Sequence, residues 1–283
     1  MQMNGYMGEG KTVVVTGAGG TLCAPVAVDF AARGYNVALV GRTREKLQRT
    51  ADMIAAGGHG SMIVLADVRD EAAVRDASER IRDRFGACDV LINGAGGNQS
   101  AAVTGTDEFD ARELEDGYPG RGFFSMDMSV FRDVVETNIM GTVIPTRIFA
   151  RDMAHRGRGC IVNFASMNTY RPLSRVPAYA LAKAGVSNWT QWAAAYLAPA
   201  GIRINAVAPG FFVNERSRKM LTTPSGELTP RGEHIIHNTP MHRFGEAEEL
   251  LGCIRWLTDD DAAAFVTGIT VPVDGGFLSS AGL

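Results

Sequence analysis

Seven short apolar runs recur along the chain without polar alternation, separated by segments of helical period, and that rhythm leaves few folds open. The runs are Lys11–Val15, Asn36–Val40, Ser61–Leu65, Val90–Ile92, Gly159–Phe164, Ile202–Val207 and Ile269–Val273. Between the first four, the pattern predicts helices over Val26–Arg33, Thr43–Ala56 and Glu71–Phe85, the first stopped by Gly34 and the second by Gly57-Gly58. A strand that is apolar on both sides must be buried on both sides, which calls for a parallel sheet with helices on each face. Such units wind right-handedly and leave a ligand crevice at the carboxyl ends of the strands. The expected fold is therefore α/β: a single Rossmann-like, doubly wound domain over residues 11–283 with a seven-stranded parallel sheet, after a flexible tail at residues 1–10. No internal repeat or second domain is visible. Two long irregular stretches, near 98–127 and 211–245, follow strands on the crevice edge, where long loops are usually functional.

Composition narrows the classes of function. Hydrophobic residues make up 46% and charged residues 21%, enough to fill a large core. A net charge of −3 offers no basic face for nucleic acid or for an acidic membrane. Cys23, Cys88, Cys160 and Cys253 lie far apart and form no C-x-x-C pair, so neither a metal site nor a disulfide framework is expected. No apolar run approaches the roughly 20 residues of a membrane span. The opening residues also lack the basic-then-apolar pattern of a secretory signal, and a cytoplasmic location is the expectation.

The first strand runs into Thr16-Gly17-Ala18-Gly19-Gly20-Thr21-Leu22-Cys23 and then a helix. Glycines allow the tight turn, and the helix N-terminus offers amides and a positive dipole to a pyrophosphate. Gly17, Gly19, Gly20, Thr21 and Leu22 are therefore candidate dinucleotide ligands. The second strand ends in Gly41-Arg42, with no acid to bond an adenosine ribose and a cation that suits a 2′-phosphate, so NADP(H) is favoured over NAD(H). A solvated surface arginine is the alternative, since Arg44 and Lys46 follow closely. Asp67 and Val68, past the third strand, are placed to touch the adenine. Asn93, Ala95 and Gly96, past the fourth, let the backbone run close to the cofactor.

Tyr179 and Lys183 stand four residues apart, on one face of a helix whose first turn can hold Pro177. A phenol titrates near 10, too high for a base at neutral pH, and a neighbouring ammonium, helped by an oxidised nicotinamide, would lower it. Ser166, just past the fifth apolar run, can hold a substrate oxygen, and Asn138, on the preceding helix, can anchor a proton-relaying water.

From Gly10 onward the chain resembles the short-chain dehydrogenase/reductase family. The residues that carry the likeness are the Thr16–Cys23 turn, Asn93–Gly96, Asn138, Ser166, Tyr179–Lys183, Pro209-Gly210 and Asp274-Gly275-Gly276. The resemblance implies Tyr179 as acid/base and Lys183 lowering its pKa and binding ribose. It further implies Ser166 orienting the carbonyl, Asn138 in the proton relay, and Pro209, Gly210 and Phe212 against the nicotinamide. It also implies a homotetramer built through the helices carrying Asn138 and Tyr179. Three positions depart from the pattern: Thr21 and Cys23 replace glycines, and Asn214 replaces a threonine.

The second half is similar to the D-mannonate oxidoreductase (fructuronate reductase) branch, in Ser166–Asn168, Arg171–Leu173, Val186–Trp192, Pro209–Val213 and Leu228–Glu233. That likeness implies a keto or hydroxy sugar acid as substrate, with Asn168 and Arg171 as its candidate ligands and Arg171 as the carboxylate clamp. The second loop adds Arg216, Arg218, Lys219, Arg231, His234, His237, His242 and Arg243, most of them read as solvated surface. The acidic Thr106–Asp116 stretch reads as a solvated lid rather than a cation site. Reduction of another carbonyl, such as a neutral sugar, a polyol or an acyl thioester, and a cofactor-binding sensor without turnover are the remaining alternatives.

Overall fold

Val13 and Val15 pack to one side of the first strand and Val14 to the other, and all three are wholly buried, which is what an interior parallel strand requires. The structure, a computed structural model, describes residue 8 and residues 10–213, 221–223 and 225–280. In chain order its elements are β1 (Thr12–Thr16), α1 (Cys23–Ala32), β2 (Asn36–Gly41), α2 (Arg44–Ala56), β3 (Ser61–Leu65), α3 (Glu71–Phe85) and β4 (Cys88–Asn93). They continue with α4 (Met128–Arg156), β5 (Gly159–Phe164), α5 (Pro177–Leu197), β6 (Ile202–Pro209), α6 (Pro230–His237), α7 (Leu251–Thr258) and β7 (Thr270–Val273). The seven strands form one sheet in the order β3-β2-β1-β4-β5-β6-β7, and every pairing is parallel. The doubly wound α/β architecture expected from the apolar runs is the one observed.

The core lies in two layers. Phe30, Leu39, Ile92, Val162 and Leu250 fill the side covered by α1 and α7. Leu91, Phe149, Met153, Ile161 and Ile204 fill the side covered by α3, α4 and α5. Local signals set the helix ends. Asp70 caps α3 by accepting from the amides of Ala72 at 2.9 Å and Ala73 at 3.1 Å. Asp127 does the same for α4, which stops at the left-handed Gly157. Pro177 opens α5, where its missing amide costs nothing.

The described parts of the two long loops hold more regular structure than their sequences suggested. The first contains short 3-10 turns at Ser100–Ala102 and Ala111–Leu114. The second contains α6, capped by Thr229, whose Oγ1 accepts from Gly232 N at 3.2 Å. This helix buries only Gly232 and Ile235, too little apolar surface to show a helical period in the sequence. At the sheet's edge, the four-residue β7 sets Pro272 opposite Ala208.

Candidate active site

The strand order reverses between β1 and β4, and Thr16 lies opposite Asn93, so the turns after these strands are neighbours. Thr16 Oγ1 fastens them by accepting from Gly94 N at 3.1 Å and Ala95 N at 3.2 Å, a role its sequence did not reveal. Gly17 needs its missing side chain twice over: its φ is 66°, and a Cβ there would stand 2.8 Å from the Ala95 backbone. Gly19, Gly20, Ala95 and Gly96 line a cleft of about 220 Å³ with Arg42, Asp67 and Val68. The residues fit a dinucleotide, since α1 opens toward the glycine turn with no acidic residue in its first turn and no side-chain cap, leaving its amides for phosphate.

Of the two replacements for the family's glycines, Thr21 is exposed and Cys23 is buried. A Cβ at position 94 would meet Cys23 Sγ at 2.1 Å, so glycine at 94 is the counterpart of cysteine at 23. Burial pushes the Cys23 thiol up to about 12, which leaves it protonated and inert. Leu22 packs against the core beneath the turn. Asn93 turns inward: its Nδ2 donates to Thr146 Oγ1 and Asn163 Oδ1, both at 2.9 Å, so it shapes the crevice without lining it. Arg42 Nη1 lies 3.5 Å from Asp67 Oδ2. Asp67 is held more closely by Arg69, whose hydrogen bonds draw its carboxyl down to about 2. Lys46 lines the same cleft as Arg42. Beyond β6, Gly210 N donates to Val273 O at 2.9 Å, and Phe212 packs on the core beside Gly245.

At the other end of the crevice, Lys183 Nζ lies 5.6 Å from the Tyr179 ring centroid, one helical turn along α5. Lys183 is 5% exposed, and its Nζ donates to Phe164 O at 2.6 Å, with no carboxylate partner among the described residues. Burial depresses its pKa to about 8. Burial also raises the Tyr179 phenol, against the pull of a hydrogen bond with Ser166. The lowered phenol expected from the sequence belongs to a crevice that also holds an oxidised nicotinamide, whereas in the chain itself desolvation outweighs the Ser166 bond.

Ser166 sits at the mouth of β5 in extended backbone. Its Oγ accepts from Asn168 N and from Asn168 Nδ2, both at 3.2 Å, so both acceptor positions are filled and the O–H is left to donate. Asn138 is fully buried on α4. Its Nδ2 donates to Gly97 O and Val134 O, both at 2.8 Å, and its Oδ1 accepts from Gly97 N at 3.1 Å, which pins the turn after β4.

Two substrate candidates are placed otherwise than their sequence positions implied. Asn168 is buried, and its Nδ2 donates to Ser166 Oγ while its Oδ1 accepts from Leu173 N at 2.9 Å, so it supports Ser166. Arg171 is exposed and donates to Ser280 O at 3.2 Å, tying its loop to the C-terminal segment. Asn214, Arg216, Arg218 and Lys219 lie outside the described residues. Arg243 is paired with Glu249 at 2.6 Å.

Sequence reasoning passed over Arg175, whose partner Asp107 is 68 residues away. Arg175 Nε and Nη2 grip the two Asp107 oxygens at 2.7 and 2.9 Å, and Ser174 Oγ adds a bond at 2.7 Å. The grip holds Arg175 at a φ of 70°, a strained value for a residue with a side chain, just before α5 begins. The largest cavity, about 640 Å³, opens at the opposite, amino edge of the sheet, where Asp260 pairs with Lys11 and Arg203. It contains none of the reactive groups.

A glycine turn that fits phosphate at one end of the crevice and a phenol–ammonium pair at the other are the features expected of an NAD(P)-dependent oxidoreductase. Residues 11–224 match the short chain dehydrogenase family, and the chain belongs to the short-chain dehydrogenases/reductases. It is 43% identical over 274 residues to an uncharacterized oxidoreductase, UxuB, of Bacillus subtilis (strain 168), covering 97% of each chain. A Haemophilus influenzae structure with bound NAD, provisionally named a D-mannonate oxidoreductase, superposes with a TM-score of 0.91 at 40% identity, covering 97% of each chain. A gluconate 5-dehydrogenase from Burkholderia cenocepacia, in complex with NADP and tartrate, superposes with a TM-score of 0.80 at 26% identity, covering 98% of this chain and 99% of that one.

Proposed function

We propose that the chain, acting as a single catalytic domain over residues 11–283, interconverts a keto and a hydroxy sugar acid of the D-fructuronate/D-mannonate type, with NADP(H) preferred over NAD(H). The observation that carries the reading is Ser166, whose two acceptor positions are filled by Asn168 so that its O–H donates, and whose partner is the Tyr179 phenol beside a dinucleotide crevice. The 97% coverage at 40% identity with the provisionally named D-mannonate oxidoreductase supports the substrate class. A nicotinamide supplies or accepts the hydride and is positively charged when oxidised. Ser166 donates to the substrate carbonyl oxygen and orients it. Tyr179 gives its phenolic proton to that oxygen during reduction and takes it back during oxidation. Lys183, an ammonium with no carboxylate partner among the described residues, stabilises the phenolate left behind, and its bond to the Phe164 carbonyl keeps it in place. Asn138 holds the adjacent turn and retains one Oδ1 lone pair for a relay water.

For the cofactor, Arg42 and Lys46 flank the cleft and would hold the 2′-phosphate. One structural neighbour holds NAD and another NADP. The test is loss of reduced-nicotinamide absorbance with D-fructuronate, NADPH against NADH. Rapid oxidation that vanishes in Tyr179→Phe supports the reading, and Arg42→Ala should weaken NADPH use selectively. Oxidation only with other ketones would overturn the substrate.

We also read the enzyme as a cytoplasmic homotetramer. Four unpaired cysteines support the location. No helix among the described residues is long and apolar enough to cross a membrane. Exposed Leu181, Trp192 and Tyr196 on α5 and Met140 on α4 support assembly. Light scattering that gives a monomer would refute it.

A further inference from the structure

Asp107, Leu173, Arg175, Phe211, Arg231 and His234 line a pocket of about 440 Å³ between the loops that follow β5 and β6. It adjoins the reactive centre through one relay: Leu173 N donates to Asn168 Oδ1, and Asn168 donates to Ser166 Oγ. Its charges do not cancel. Arg175 takes both oxygens of Asp107, and Ser174 takes a further bond to the same carboxylate, so Asp107 is fully engaged. Arg231, in the first turn of α6, feels Asp107 electrostatically but makes no ion pair within 4 Å among the described residues. His234, one turn further on, has its Nε2 3.3 Å from the Asn238 amide nitrogen and no ion pair among the described residues. A guanidinium fork and an imidazole thus face a pocket whose one carboxylate is already spent. An arginine fork is built for a planar carboxylate.

We infer that this pocket is the subsite for the substrate carboxylate, held by Arg231 with His234 beside it, and that Arg171 takes no part. The inference rests on the sugar-acid reading and sharpens it. A carboxylate in this pocket is separated from the carbonyl at Ser166 by the Asn168–Leu173 relay, so the favoured acids carry their charge several carbons from the reacting carbon. Acids with the carboxylate next to the carbonyl are poor substrates. The strained, doubly anchored Arg175 is a fixed wall of this pocket, and Arg231 is the cation that engages ligand.

The experiment measures steady-state kinetics with D-fructuronate for the wild type, Arg231→Ala, Arg231→Lys and Arg171→Ala. Removal of one bidentate, charge-assisted contact should raise KM by about 10- to 100-fold in Arg231→Ala, with kcat changed far less. Arg231→Lys should recover part of that loss, and Arg171→Ala should stay within about twofold of the wild type. Unchanged KM in Arg231→Ala, with turnover intact, overturns the subsite and leaves the sugar-acid reading standing. No turnover of any keto sugar acid by the wild type overturns both. Should Arg231→Ala fail to fold, inhibition of the wild type decides: D-gluconate should compete with D-fructuronate where sorbitol does not, and equal inhibition refutes the subsite.

Discussion

Replacing Lys183 by methionine should change how stability depends on pH, in a direction that follows from the burial of its ammonium. Lys183 titrates near 10.5 when unfolded and at about 8 in the folded chain. The gap, at 1.36 kcal/mol per pH unit, makes a folding penalty of about 3 kcal/mol. Below pH 8 both states carry the proton and the penalty is fully present. Between 8 and 10.5 the unfolded chain binds more protons than the folded one, so stability rises with pH. From pH 7 to pH 10 the wild type should gain about 2.5 kcal/mol relative to Lys183→Met. The bond to Phe164 O is lost in the variant at every pH, because neutral and charged amines both donate, so it shifts the offset and leaves the slope alone. Urea unfolding of both proteins, without cofactor, across that range measures the difference. A difference that is flat with pH, or that moves in favour of Lys183→Met as pH rises, would refute the claim that desolvation governs this group.

Two further perturbations test the crevice. Gly94→Ala should destabilise the chain by about 1–3 kcal/mol in urea unfolding, because its Cβ meets Cys23 Sγ, and Cys23→Ala added to it should restore most of that loss. A purely additive pair would show that the thiol is not what excludes a side chain at 94. Asn168→Ala should lower kcat/KM by about tenfold while leaving cofactor affinity alone, because Ser166 keeps the bond from the backbone amide of residue 168 but loses the Nδ2 bond that helps to aim it. In Ser166→Ala the same substitution should cost little more, and additive losses would mean that Asn168 meets the substrate directly.

The fold was legible because burial on both faces leaves a mark in the sequence. Val13, Val14 and Val15 can only belong to an interior strand, and Glu71–Phe85 announces itself by Asp70 before it and Gly86 after it. The reactive pair was legible because Tyr179 and Lys183 are neighbours on a helix by arithmetic alone. The destinations of side chains were not. Asn168 and Arg171 sit three residues apart on one loop, yet one turns into the core and the other reaches Ser280, 109 residues on. Arg175 and Asp107 find each other across two elements and the loop between them. No local rule reports such pairings. The α6 helix was different, since Thr229-Pro230 is a legitimate helix start and was readable as one.

Pro272 has a consequence for how copies of this chain can meet. In a parallel strand the backbone groups of successive residues face alternate sides, and Val273 O accepts from Gly210 N, so residue 272 faces away from β6. That is the position where an added strand would seek a donor, and proline has none to give. The sheet therefore ends chemically at β7 as well as geometrically. Growth by edge-to-edge strand pairing, the route by which exposed sheets polymerise, meets a missing amide and a ring in its path. Any association on this side has to be made by side chains, which can be specific and can close, whereas a bare sheet edge does neither.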